Sequence, residues 1–151
     1  WAPFVVVFLA VVTALATFAP KAIPDVTNVR SYDAAVWARE RLASDNARFG
    51  MYDPGVFRFV SGFDTVALNG LASTPEVTKL VQEANWVEII RRYNIRYVVQ
   101  FVAEEDIAGI PPRYVKYRSE PFEKYLWRYD KMKPGRFLIL DSSYSAINSL
   151  I

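Results

Sequence analysis

One stretch, Asp64 to Val102, limits the folds open to this chain more than any other. It begins Asp64-Thr-Val-Ala-Leu68, passes through Asn69-Gly70-Leu71 and a long amphipathic segment, and ends Arg96-Tyr-Val-Val-Gln-Phe-Val102. The pattern predicts a strand, a turn, a helix and a second strand: one βαβ crossover, right-handed by the usual rule. Val77, Leu80, Val81, Ala84, Val87 and Ile90 recur at spacings of three and four, which places one apolar stripe along the helix. Thr74 is placed to cap it, with Pro75 at the first helical position, where a missing N–H costs nothing. Asn94 stands where a left-handed stop is expected. The strand that follows is apolar on both faces, as a strand covered on two sides is.

A chain of 151 residues, 52% hydrophobic and 23% charged, is long enough for about one globular domain. It has no cysteine and no histidine. Disulfides, thiolate metal sites, Ser-His-Asp triads and nearly all zinc sites are thereby excluded, so any catalysis runs on Asp, Glu, Lys, Arg or Tyr. A net charge of +2 is too small to argue for nucleic acid, and no nucleic-acid partner is expected. No Gly-x-Gly-x-x-Gly or P-loop follows any strand, which argues against a nucleotide cofactor. Glu104-Glu105-Asp106 lacks the further oxygen ligands a calcium loop needs, and reads as a solvated loop with an acidic helix start. No metal, no cofactor and no catalytic residue is expected in this chain.

Ala2 to Ala19 carries no charge, and its only polar side chains are Thr13 and Thr17. As a helix it rises about 27 Å, close to the roughly 30 Å of a bilayer's hydrocarbon core. Residues 1–20 are expected to be a transmembrane helix in contact with the lipid bilayer. A signal peptide would need a basic leader, which the chain does not show, and a core helix would show a polar face. The chain begins with Trp1 and is read as the C-terminal end of something longer. Residues 21–30, preceded by Pro20 and containing Pro24, are expected to be a tether, and 31–151 an α/β domain. In that domain Ser31 is expected to cap a helix lined by Ala35, Ala38 and Leu42 beside Trp37 and closed by Asp45-Asn46. Ala47–Tyr52 reads as a strand, Asp53-Pro54-Gly55 as a turn, and Val56–Val60 as one helical turn or a short strand. Alternating helices and strands predict an α/β fold: a small mostly parallel sheet with helices on its faces, a Rossmann-like half unit.

From Pro112 to Arg136 eight basic residues face three acidic ones, interleaved with six aromatics. One reading is a nucleic-acid or anionic-surface patch. Another is a pair of exposed strands whose basic residues blunt an edge while aromatics pack inward. Beside a membrane span, segment 112–136 would rest on lipid headgroups. Lys133-Pro134-Gly135 then reads as a turn, Arg136–Leu140 as a final strand and Asp141–Ile151 as a tail.

In a parallel sheet the turns after successive strands emerge at the carboxyl edge, where α/β folds bind ligands. That makes Asp53, Asn69 and Thr74 the candidate ligand-binding residues, two polar side chains beside a helix N-terminus that suits a sugar hydroxyl or phosphate. Asp-Pro-Gly and Asn-Gly are also common turn formers whatever the function.

Val36-Trp37 with Leu42, Asp53-Pro54-Gly55, Leu68-Asn69-Gly70-Leu71 and Asn94-Ile95-Arg96-Tyr97-Val98-Val99 carry a resemblance that covers nearly the whole chain. It resembles the C-terminal extracytoplasmic end of multi-spanning membrane glycosyltransferases that use polyprenyl-phosphate sugars, the mannosyltransferase-like group. In that group the second turn often reads Asp-Gly-Leu; Asn69 stands there in this chain. The resemblance implies a sugar-transferring parent, integral to the membrane, whose catalytic acid lies in an early extracytoplasmic loop between upstream membrane helices. It implies that this domain lies on the extracytoplasmic side, packs with those upstream helices, and is accessory rather than catalytic. The alternative is a membrane-anchored binding or assembly module with no enzymatic activity.

Overall fold

The structure, a computed structural model, describes residues 7, 8, 13, 26–70, 73–126 and 131–147. The expected transmembrane helix, residues 1–20, lies outside them apart from Val7, Phe8 and Thr13, all helical and exposed. Among the described residues no helix is long and apolar enough to cross a membrane.

The chain folds as an α/β domain. Helix α1 spans Val26–Arg41 and leads through a 3-10 turn, Ala43–Asp45, into β1, Arg48–Met51. Helix α2, Gly55–Ser61, connects to β2, Thr65–Ala67. Helices α3, Pro75–Gln82, and α4, Trp86–Arg92, precede β3, Ile95–Ala103. After α5, Glu104–Ile107, come β4, Val115–Arg118, β5, Phe122–Leu126, and β6, Lys131–Asp141. They form one six-stranded sheet in the order β2-β1-β3-β6-β4, with β5 also paired to β6.

The sheet separates two apolar layers. On one face Ala34, Ala35 and Ala38 of α1 are fully buried against Phe49, Tyr97, Val99 and Ile139. Three alanines in register let the helix approach the sheet closely, and Trp37 leans on Tyr117 with ring centroids 5.3 Å apart. On the other face Ile89, Ile107 and Ile110 pack over Leu68, Val98, Leu138 and Leu140. Strands β3 and β6 alternate between the layers, which is why the runs Tyr97–Val99 and Phe137–Leu140 are apolar on both faces.

Several expectations are corrected. The sheet is mixed, not mostly parallel: β1 pairs in parallel with β2 and β3, whereas β6 is antiparallel to β3, β4 and β5. The β2-to-β3 crossover passes over β1, so the two strands it joins are not neighbours. Its helix is two helices. Ala84 adopts a left-handed φ of 51°, and Asn85 caps α4 by accepting from the Glu88 N–H at 3.4 Å. The break resets the helical phase, so fully buried Ile89 replaces Val87, which is 56% exposed. Helix α1 starts at Val26, so the last five residues of the expected tether are helical, while 21–25 lie outside the described residues. After Pro24 no proline or glycine interrupts the chain before Gly50, and nothing forces a start at Ser31. Ser31 is therefore an interior position, 3% exposed, rather than a cap.

Lys133-Pro134-Gly135 is not a turn but part of β6. A Cβ on Gly135 would lie 2.5 Å from both the Phe101 ring and the Val102 carbonyl oxygen, so this glycine marks a close approach of two strands. Strands β4 and β5 pair in turn along one side of β6, with a register shift between Val115 and Tyr117 and another between Arg118 and Phe122. On β4 the exposed Lys116 and Arg118 alternate with half-buried Val115 and Tyr117, the blunted-edge arrangement. The chain beyond β6 is not a loose tail: Ile147 is 3% exposed and belongs to the second layer.

Candidate functional site

The three parallel strands give the domain two chemically different edges. At the carboxyl edge Met51 pairs with Ala67, so Asp53 and Asn69 each follow two residues beyond a paired position. Asp53 is exposed and Asn69 half-buried. Gly70 takes a φ of 73°, turning the chain toward α3. Ser73 Oγ donates to the Ala67 carbonyl at 2.6 Å, and Thr78 Oγ1 donates to the Gly70 carbonyl at 2.9 Å, so hydroxyls close the end of β2. Thr74 caps α3, its Oγ1 accepting from the Val77 N–H at 3.4 Å and lying 3.4 Å from the Tyr93 hydroxyl. Topology thus brings Asp53 and Asn69 to one edge, and Thr74 serves the helix it caps. No metal-binding cluster of acidic side chains occurs among the described residues.

A concavity of about 340 Å³ lies at the opposite, amino edge, lined by Asn46, Arg48, Gly62, Phe63, Asp64 and Asn94. Each parallel strand is entered through a left-handed residue there: Asn46 (φ 44°) before β1, Gly62 (φ 74°) before β2 and Asn94 (φ 50°) before β3. Each also ends a helical segment: Asn46 the 3-10 turn, Gly62 donating to the Arg58 carbonyl and Asn94 to the Arg91 carbonyl. Arg48 ties the entries together, donating from Nε to Asp64 Oδ2 at 2.6 Å and from Nη1 to the Tyr93 carbonyl at 2.9 Å. Phe63 packs on Phe49, ring centroids 4.7 Å apart.

A second set of polar groups borders this edge. The Tyr97 hydroxyl donates to Asp45 Oδ2 at 2.6 Å, and Arg96 approaches the same oxygen at 3.8 Å. Burial, then the hydrogen bond to Asp45 and its charge, push the Tyr97 phenol up to about 12. Burial alone would raise the Asp141 carboxyl, but the Ser143 hydroxyl and N–H, with Lys116 and Arg96, hold it below its ordinary value. These groups are paired with each other and brace the strand ends.

The carboxyl-edge residues were legible in the sequence as turn formers; the amino-edge set was not. The available signal was that Asn46 and Asn94 are both helix stops placed just ahead of strands, which in a parallel sheet puts them at one edge. No protein-family model, curated protein or solved structure matches the chain.

Proposed function

We propose that this chain is an accessory, non-catalytic C-terminal domain of an integral-membrane glycosyltransferase that moves a sugar from a lipid-phosphate donor to an extracytoplasmic acceptor. The observation that carries the reading is the junction at the start of the domain. Only Pro20–Asp25 separate the uncharged run Ala2–Ala19 from α1, and α1 is built into the first apolar layer. A body joined so closely to a bilayer-length apolar run sits against the membrane surface. In this reading Lys116 and Arg118 on the exposed β4 edge, with the rest of the basic segment 112–136, meet lipid headgroups. The strand order β2-β1-β3 matches the start of a doubly-wound order 2-1-3, whose switch point lies between β1 and β3, rather than the 3-2-1 of a Rossmann half unit. Its carboxyl edge then offers Asp53, Asn69 and Thr74 to ligand.

The test has two arms. Incubated with a polyprenyl-phosphate sugar and an acceptor, the 151-residue chain should transfer nothing above background. The longer protein proposed to carry it should transfer sugar and lose acceptor selectivity when residues 31–151 are removed. Turnover by the chain itself that disappears on changing one Asp or Glu overturns the accessory role. A start codon directly before Trp1 overturns the glycosyltransferase parent and leaves a membrane-anchored binding module.

A further inference from the structure

From the amino-edge concavity we infer that the domain carries a binding site for one neutral sugar unit, formed by Asn46, Arg48, Phe63, Asp64 and Asn94. This deepens the reading above by naming a place where an acceptor or product sugar is held, on the edge opposite Asp53 and Asn69. Charge selects the ligand class. Arg48 and Asp64 are bonded to each other at 2.6 Å, so the site carries a cation and an anion side by side and no net charge. A phosphate entering it meets the Asp64 carboxylate, and a metal ion meets the Arg48 guanidinium. A neutral polyol meets neither penalty and finds both donors and acceptors.

Those donors and acceptors are left over from the bracing. Arg48 spends Nε and Nη1 on Asp64 and Tyr93. Among the described residues its Nη2, the Oδ1 of Asp64 and the carboxamides of Asn46 and Asn94 have no side-chain partner. A pyranose presents adjacent hydroxyls that each donate and accept, which matches planar carboxamide, carboxylate and guanidinium groups. Its C–H face needs an apolar surface, and Phe63, held on Phe49, supplies one. The volume, about 340 Å³, is at the small end of ligand pockets, which run from about 300 to 1,000 Å³. That suits one sugar ring rather than a nucleotide. The backbone that carries these groups is set in advance, because the positive-φ residues and the Arg48 bridges hold the three strand entries in one arrangement.

The left-handed backbone provides a clean test. Glycine adopts φ near 50° freely, so the double variant Asn46→Gly, Asn94→Gly deletes both carboxamides while keeping the turns. In amide NMR of the 151-residue chain in detergent micelles, methyl α-mannoside should shift the signals of Asn46, Gly62, Phe63 and Asn94 saturably. Inorganic phosphate should not. The double variant should bind the sugar about tenfold more weakly, the loss expected for hydrogen bonds between neutral groups, with its melting temperature unchanged. The site is overturned if these amides show no saturable shift, if phosphate shifts them instead, or if the variant binds the sugar as tightly as the parent sequence. A failed titration beside intact sugar transfer by the longer protein removes this site alone. A saturable site in a chain whose longer protein transfers no sugar removes the glycosyltransferase reading alone.

Discussion

The two halves of the sheet solve the same packing problem with different means. In the parallel half, β1 to β3, consecutive strands are linked through helices on both faces, and every strand is entered through a loop. Polar side chains and left-handed residues collect in those loops. In the antiparallel half, β4 to β6, the strands follow one another with little between them, and the order is set by aromatic contacts. Phe101, Phe122 and Phe137 form one such cluster, with ring centroids 5.2 to 6.4 Å apart. The first half therefore has chemistry to spare at its edges, whereas the second holds the body together and protects an edge. That protective role accounts for Lys116 and Arg118, which lie where an unprotected strand would recruit another chain, whereas Arg136 in β6 is bonded to Glu104 and the Ser119 carbonyl.

The contrast is broken most directly at Gly135. A β-carbon there would meet the Phe101 ring and the Val102 carbonyl at 2.5 Å, and the carbonyl, being backbone, cannot swing aside. Gly135→Ala should destabilise the domain by about 3 kcal/mol, the cost of overpacking a tight interior. Denaturant melts would show this as a lower midpoint. A variant as stable as the parent sequence would mean that β3 and β6 do not pack this closely, and that aromatic contact does not order the antiparallel half.

Tyr97 tests the strand the two halves share. Its folded-state value, about 12, exceeds the ordinary 10.0, because burial and Asp45 favour the neutral phenol. The folded state therefore holds this proton more tightly than the unfolded chain. The stabilisation is complete below pH 10 and is lost as pH rises toward 12. At about 1.4 kcal/mol per unit the loss is about 2–3 kcal/mol. Tyr97→Phe should remove this part of the alkaline decline. Equal alkaline slopes for the variant and the parent sequence would show that Tyr97 is not held neutral at the amino edge.

The same division explains what could be read from the chain. Spacing of apolar residues, Thr74-Pro75 and Asn94 located the strands and helix ends of the parallel half, because those signals are local. The split at Ala84 escaped because an apolar stripe continues in sequence across a break that changes its phase in space. Pro134-Gly135 resembles a turn by composition. Its strand placement depends on Phe101, more than thirty residues earlier in the chain. The carboxyl-edge residues were legible as turn formers. The concavity was not, because it forms where three loops, separated by more than a dozen residues each, converge.

Gly70 sharpens the picture of the parallel half by separating backbone strain from crowding. Its φ of 73° resists a β-branched side chain, yet a Cβ would make only ordinary contacts, the nearest at 3.6 Å to Thr78. Gly70→Val should cost about 2 kcal/mol from strain alone. Gly70→Asn should cost clearly less, since asparagine tolerates the left-handed region and the surroundings have room. If the two variants melt together, crowding rather than φ sets the cost and the turn is packed more tightly than its geometry indicates.

The smallest effect on stability is expected at Asp53, where the outcome bears on which edge binds. Asp53 is exposed and lies in the turn between β1 and α2. Asp53→Ala removes no buried contact, and the loss should stay at about 1 kcal/mol or less. Because the fold should survive the change, the sugar transfer proposed for the longer protein becomes a usable readout. A loss of about tenfold or more at unchanged stability would mark the carboxyl edge as a contact for donor or acceptor. Unchanged transfer, beside a loss in the Asn46→Gly, Asn94→Gly variant, would confine recognition to the amino edge. If both variants transfer sugar as well as the parent sequence, neither edge of the parallel half contributes. The claim that this half carries the domain's spare chemistry would then fail, although every structural contact described for it stood.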